Sequence, residues 1–261
     1  MENYKTKKRF GQHFLNDNSV IEKLIYEINP NTSDNIVEIG PGLGALTFPL
    51  LEKIDALNVV EIDRDVIARL QQKDNPKLNI HGVDALKFDF STLTKEDQKL
   101  RVVGNLPYNI STPLIFHLLD FKSSIHDMHF MLQNEVVKRI TAEPNSKTYG
   151  RLSVMVQYHC KTEYLFFVGP ESFDPPPKVD SAILRLTPWE DQPFTAIDEI
   201  GLSKLVAQAF SMRRKTLRNN LKKIISAEQI EAIGIDPSQR AENLSVSGFV
   251  KLSNLVTEIT S

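Results

Sequence analysis

The chain has 261 residues, 41% hydrophobic and 25% charged, with 31 lysines and arginines against 33 aspartates and glutamates and a formal charge of −2. Such a chain can bury a substantial core as one large domain plus a smaller one, and its composition excludes a disordered, fibrous or uniformly basic protein. The single cysteine, Cys160, excludes an internal disulfide and offers no metal-ligand spacing, so we expect no metal and a reducing, cytoplasmic setting.

The N-terminal stretch "ENYKTKKRFGQHFL" gathers Lys5, Lys7, Lys8 and Arg9. No apolar run of signal-peptide length follows it, and nothing in the chain approaches a membrane span, so no membrane association is expected. From Asn35 to Leu132 short apolar runs alternate with helical patterns. "NIVEIG" precedes "ALTFPLLEKI", "LNVVEID" precedes "RDVIARLQQK", "LNIHGVD" precedes a polar link, "RVVGN" precedes "STPLIFHLLDF", and "DMHFML" precedes "QNEVVKRITA". This alternation predicts βαβ units with right-handed connections, hence a doubly wound, mostly parallel sheet covered on both faces.

After Gly150 the pattern changes. "YHCKTEYLFFV" and "SAILRLTPW", joined by the proline-rich "GPESFDPPPKVD", read as two strands added antiparallel at the end of the sheet. From about Asp198 the chain is helical in pattern: "GLSKLVAQAFSMRRKTLRNNLKKII" as a first helix, then "SAEQIEAIG", then "NLSVSGFVKLSNLVTEI", with Ser226 and Ser245 to Ser247 as helix starts. The boundary falls between Trp189 and Thr195, giving domains 1–192 and 193–261. Lys204 to Lys223 contains Arg213, Arg214, Lys215, Arg218 and Lys222 and no acidic residue, which suits either a solvated helix face or contact with an anionic partner.

"VEIGPGLGAL" stands where a strand hands over to a helix. Gly40 and Gly42 allow a tight turn and close approach of a ligand, Gly44 and Ala45 allow tight packing, and Glu61 ends the next strand about 20 residues on, as expected of an acid binding a ribose hydroxyl pair. The pattern fits a nicotinamide or flavin dinucleotide, and it fits S-adenosylmethionine. Glu38 favours the second, because a carboxylate ahead of the loop suits an ammonium and repels a pyrophosphate. Asp84, after the next apolar run, shares that sheet edge and could accept from an adenine amine, though such residues also cap helices and turns.

The fourth strand ends at Asn105-Leu106-Pro107-Tyr108 on the same edge. This tetrapeptide suits methylation of an exocyclic base nitrogen. That nitrogen is a poor nucleophile until its hydrogens are accepted, here by the Asn105 side-chain oxygen and the Leu106 carbonyl. Pro107 fixes the direction of that carbonyl, and Tyr108 offers a face on which an extruded base can stack. A plain proline turn is the alternative.

The segments "KRFGQHFLND", "VEIGPGLGALT", "EID", "GNLPYNISTPLIFHLL", "YGRLSVMVQY" and "FDPPPKVDSA" together resemble the ribosomal RNA adenine dimethyltransferase family, most closely its bacterial small-subunit branch. The resemblance runs from Lys8 into the helical C-terminus. It implies a class I, Rossmann-like methyltransferase with a mostly parallel seven-stranded sheet and a small all-helical C-terminal domain that binds rRNA. Its expected activity is dimethylation, with S-adenosylmethionine, of N6 of two adjacent adenosines in the terminal hairpin loop of small-subunit (16S) rRNA, late in assembly of the 30S particle, by a monomer. By similarity His13, Leu15, Gly40, Glu61, Asp84 and Asn105 contact the cofactor, and Asn105, Leu106, Tyr108 and Phe173 form the catalytic set, with Phe173 at the mouth of the target pocket. Taken from the sequence, Phe173 could equally pack on the core. His13 stands where many members carry Asn. Three rival readings differ in substrate or activity: a large-subunit rRNA methyltransferase of the antibiotic-resistance type, a non-catalytic assembly factor, and a dinucleotide oxidoreductase, which would leave Asn105 to Tyr108 unexplained.

Overall fold

The computed structural model describes residues 13–95 and 98–260, so the basic cluster of Lys5, Lys7, Lys8 and Arg9 lies outside the described residues. Two compact units form: described residues up to Val137 with Glu163–Pro188, and Lys138–Thr162 with those from Trp189 onward.

The first unit opens with β1 (Phe14–Leu15) and α1 (Asn18–Ile28). Asp17 caps this helix by accepting from the Ser19 N–H at 2.9 Å, and Ile21, Leu24 and Ile28 recur at helical spacing to bury one face. The βαβ run follows as β2 (Ile36–Ile39), α2 (Thr47–Leu51), β3 (Leu57–Val60), α3 (Arg64–Gln71), β4 (Leu78–His81), β5 (Leu100–Asn105), α4 (Ser111–Leu119), β6 (Ile125–Gln133) and α5 (Asn134–Ile140). β7 (Cys160–Val168), β8 (Phe173–Asp174) and β9 (Ser181–Pro188) complete the strands.

Seven strands make one sheet in the order β4-β3-β2-β5-β6-β9-β7. β4, β3, β2, β5 and β6 run parallel, and β9 pairs antiparallel with β6, from Met128↔Leu186 to Gln133↔Ser181. All four residues of β2 are buried, as a strand covered on both faces requires. The strand order reverses between β2 and β5, which opens a crevice beyond their C-terminal ends, the usual ligand position in such sheets. Two-residue β1 pairs with β8 antiparallel, Leu15 opposite Phe173, in a ribbon of its own.

The second unit contains α6 (Arg151–His159), α7 (Glu199–Ala209), α8 (Leu217–Leu221), α9 (Ala227–Ala232) and α10 (Val246–Thr260). α7 packs on α6, α8 and α10, burying Leu202, Leu205 and Val206 with Phe249 and Leu252. The division differs from one at 192/193, because α6 belongs with these C-terminal helices. The segment after β9 is tied back to it: the Trp189 indole N–H donates to the Gln157 carbonyl at 3.1 Å, and Gln192 to the Tyr158 carbonyl at 2.7 Å.

The first C-terminal helix is shorter than its sequence pattern predicts. It stops at Ala209, and Arg213, Arg214 and Lys215 occupy the turn before α8, leaving Arg218 on a helix. The cause is long-range. Buried Asn220 donates from Nδ2 to the Ala209 and Met212 carbonyls at 2.6 and 3.2 Å, ending α7, while Leu217 N–H bonds the Gln239 carbonyl at 2.8 Å. Ser226 caps α9 as expected, with a reciprocal pair of bonds to Gln229.

Candidate active site

A cavity of about 290 Å³ lies beyond the ends of β2, β3 and β5. His13, Leu15, Gly40, Glu61, Asp84, Asn105, Leu106 and Tyr108 all line it, so residues spread over nearly a hundred positions converge on one space. Phe173 is not brought there. It is 3% exposed and packs in the main core cluster, held opposite Leu15 in the β1–β8 ribbon, which corresponds to the core-packing alternative.

The glycine loop takes the backbone its residues permit. Gly40 and Gly42 have φ of +69° and +55°, a region costly for any side chain, and a Cβ on Gly42 would come within 2.9 Å of the Phe14 ring. Behind the loop Glu38 is 2% exposed, and its Oε2 accepts from the Thr47 hydroxyl at 2.6 Å. Burial, reinforced by nearby Glu61 and opposed by the Thr47 bond, pushes the Glu38 carboxyl up to about 7. Among the described residues no cationic side chain pairs with Glu38, and its carboxyl keeps its proton up to about neutral pH.

Glu61 ends its segment by accepting the Ile62 and Asp63 N–H groups on Oε1, both at 2.8 Å, which fixes its carboxylate at the cavity wall. Asp84 accepts the Leu86 N–H at 3.0 Å, so it performs the turn role its position allows while facing the cavity.

At the β5 exit, Asn105 Nδ2 donates to the His13 carbonyl at 3.0 Å. The amide nitrogen is committed to the protein, and the oxygen is the end left to receive a hydrogen. The Leu106 side chain is 1% exposed and its N–H bonds the Met131 carbonyl at 3.2 Å, so any part it plays in the chemistry falls to its main chain. The Tyr108 hydroxyl bonds Ser181 Oγ at 2.7 Å; burial raises its pKa and the Ser181 bond opposes that. His13 bonds the Pro175 carbonyl through Nδ1 at 2.8 Å, and its ring lies 6.0 Å from that of Tyr108 at 24° between planes.

Three supporting residues, Thr47, Ser181 and Gly104, are not among those the sequence singles out. Thr47 and Ser181 become visible only through contacts made across the fold. Gly104 is required sterically, since a Cβ there would stand 2.5 Å from the Ile39 carbonyl oxygen and separate β5 from β2 beside the glycine loop. A glycine inside a strand was the available signal for such an approach. Among the described residues no group of three or more His, Cys, Asp or Glu could hold a metal, and no helix is long and apolar enough to cross a membrane.

A mostly parallel seven-stranded sheet, a glycine loop backed by an acid, acidic ends on the next strands and an Asn-Leu-Pro-Tyr exit define a Rossmann-like methyltransferase. Comparison with known proteins narrows the class. The family model described as ribosomal RNA adenine dimethylase matches residues 3–258. "Ribosomal RNA small subunit methyltransferase A" of Alcanivorax borkumensis is 57% identical over 98% of this chain and 91% of its own length. Among solved structures, a dimethyladenosine transferase from Plasmodium falciparum is 27% identical with a TM-score of 0.80, covering 95% of this chain and 98% of its own. The 23S rRNA methyltransferase ErmE is 21% identical with a TM-score of 0.74, over 94% and 99%, and shares the fold. The chain belongs to the ribosomal RNA adenine dimethylase family.

Proposed function

We propose that the protein uses S-adenosylmethionine to dimethylate N6 of two adjacent adenosines in the terminal hairpin loop of small-subunit (16S) rRNA, on the 30S particle late in its assembly, acting as a cytoplasmic monomer. The observation that carries the chemistry is the bond from Asn105 Nδ2 to the His13 carbonyl, because it turns the amide oxygen into the acceptor an adenine amine needs.

The cavity fits this cofactor better than a dinucleotide. Glu38 gives a cationic amino group a buried counter-charge and would repel a pyrophosphate; Glu61 and Asp84 supply acceptors for ribose hydroxyls and an adenine amine. Leu43, Ile62 and Val83 are exposed apolar residues on the cavity wall, suited to the faces of a base. When bound, S-adenosylmethionine supplies an activated methyl group.

The protein's part is to prepare the amine. Asn105 Oδ1 and the Leu106 carbonyl receive its two hydrogens and direct the nitrogen lone pair, Pro107 holds the carbonyl, and Tyr108 stacks the base. A nitrogen that has gained a methyl group is positively charged and sheds its proton to solvent, so the scheme needs no carboxylate or histidine as base. The small-subunit target is supported by the 57% identical relative named for it, whereas the large-subunit enzyme resembles this chain in fold alone.

Methyl transfer from labelled cofactor to undermethylated 30S particles, with the modified bases mapped, tests the reading. Label in large-subunit rRNA, or in small-subunit rRNA outside that hairpin, would refute it. Asn105→Ala should lower transfer by roughly a hundredfold or more with the melting temperature retained, as for loss of one oriented electrostatic group. Near-normal turnover would end the acceptor role.

A further inference from the structure

We infer that His13 is a positioning residue for methyl transfer, bracing the two side chains that meet the target base, Asn105 and Tyr108; this rests on the reading of the site given above. Three contacts converge on it. Its carbonyl takes the Asn105 amide N–H at 3.0 Å, its Nδ1 meets the Pro175 carbonyl at 2.8 Å, and its ring stacks with Tyr108 at 6.0 Å and 24°.

Each contact removes a freedom that matters for an extruded base. Asn105 could turn its amide over and present N–H groups to an amine that itself donates; the His13 carbonyl, which can only accept, forbids that orientation. A carbonyl opposite Nδ1 also requires the hydrogen on that nitrogen, which fixes the tautomer and holds the imidazole plane. The ring separation lies within the roughly 4.5–7 Å of favourable aromatic pairs, so His13 supports one face of Tyr108 while Ser181 anchors its hydroxyl.

With Phe173 packed in the core, His13 is the ring set beside Tyr108 among the described residues. Its neighbours bind it to both halves of the site. Phe14, the next residue, presses on Gly42 of the glycine loop, and Leu15 and Asn16 are fixed by the Phe173 register and the Ser172 carbonyl. His13 therefore approaches Asn105 from a backbone that is already held in place.

The test separates the ring from the main chain. His13→Ala keeps the carbonyl but loses the ring and its Nδ1 bond; His13→Phe keeps a flat ring and the carbonyl. With saturating cofactor and undermethylated 30S particles, kcat of His13→Ala should fall by about tenfold or more, the scale of a small misplacement, and His13→Phe should recover most of that loss. Cofactor Kd is measured in parallel by calorimetry and folding by melting, with His13→Ser and His13→Tyr replacing the Ala and Phe variants should either not fold. Wild-type kcat in His13→Ala, with only cofactor Kd changed, would overturn the inference, as would a His13→Phe no better than His13→Ala. Should the wild-type enzyme label a different RNA, the target assignment fails by itself, and the same kcat comparison on that RNA decides the bracing role.

Discussion

Glu38 is 2% exposed at the end of β2, with its carboxyl pushed from the ordinary 4.5 to about 7. Between those values the folded protein keeps a proton that the unfolded chain has lost, so stability falls as pH rises through the window. Without ligand, the melting temperature should therefore decline from about pH 5 to pH 7, and Glu38→Gln should remove much of that decline while still accepting from Thr47. An unchanged pH profile in the variant would show that this carboxyl does not carry the effect. A cation bound beside Glu38 reverses the preference, so cofactor binding near pH 6 should release a proton, read as a dependence of calorimetric heat on the buffer's ionisation enthalpy. Residues such as Gly40, Glu61 and Asn105 were legible because a parallel sheet brings every strand end to one edge, and strand ends can be read locally. Phe173 was not, since its burial depends on pairing with Leu15, more than 150 positions away. Gly104 carries a local signal, a glycine inside a strand, but what it makes room for, the Ile39 carbonyl 2.5 Å from where a Cβ would stand, is set by the pairing of β2 with β5.

The same division holds among elements. The parallel strands and most helices between them follow from apolar runs and helical spacing, and the sheet has the expected antiparallel addition at β9. The break between α7 and α8 does not follow, because "SMRRKTLRNN" has helix-compatible residues throughout and no glycine or proline. What ends α7 is tertiary: a buried amide from Asn220 takes the carbonyls that a continuing helix would have satisfied, and Gln208 Nε2 donates back to the Asn220 carbonyl at 2.9 Å. Asn220→Ala takes this bond from the Ala209 carbonyl in the second unit's core, while the Met212 carbonyl keeps the Lys215 N–H, and should cost about 1–3 kcal/mol, measured by urea denaturation with an unchanged m-value. A loss below about 0.5 kcal/mol would mean that the bonds are replaceable and that the turn is set elsewhere. α1 carries local signals of its own, the Asp17 cap and the spacing of Ile21, Leu24 and Ile28, although the expected elements begin only at Asn35.

For the molecule as a whole, a net charge of −2 conceals an uneven distribution, and structure decides which of the basic residues near the end of α7 can serve a polyanion. Arg213 is engaged within its own unit, bonded to the Lys147 carbonyl and 3.6 Å from Glu242. Arg218 helps hold the Asp236 carboxyl below its usual range, behind the bonds from Ser238. Arg214 and Lys215 are exposed in the turn, where two adjacent cations project without a helix to space them apart. If rRNA phosphates meet this turn, these two carry the contact there, and each neutralised phosphate adds about 0.7–0.9 to the slope of log affinity against log salt. Replacing both with glutamine should weaken binding to 30S particles and reduce that slope by between one and about two, while cofactor affinity and melting temperature stay as in the wild type. A salt slope that does not change would move the RNA-binding face away from this turn, since a loss of affinity alone could come from a local distortion that leaves every phosphate contact in place.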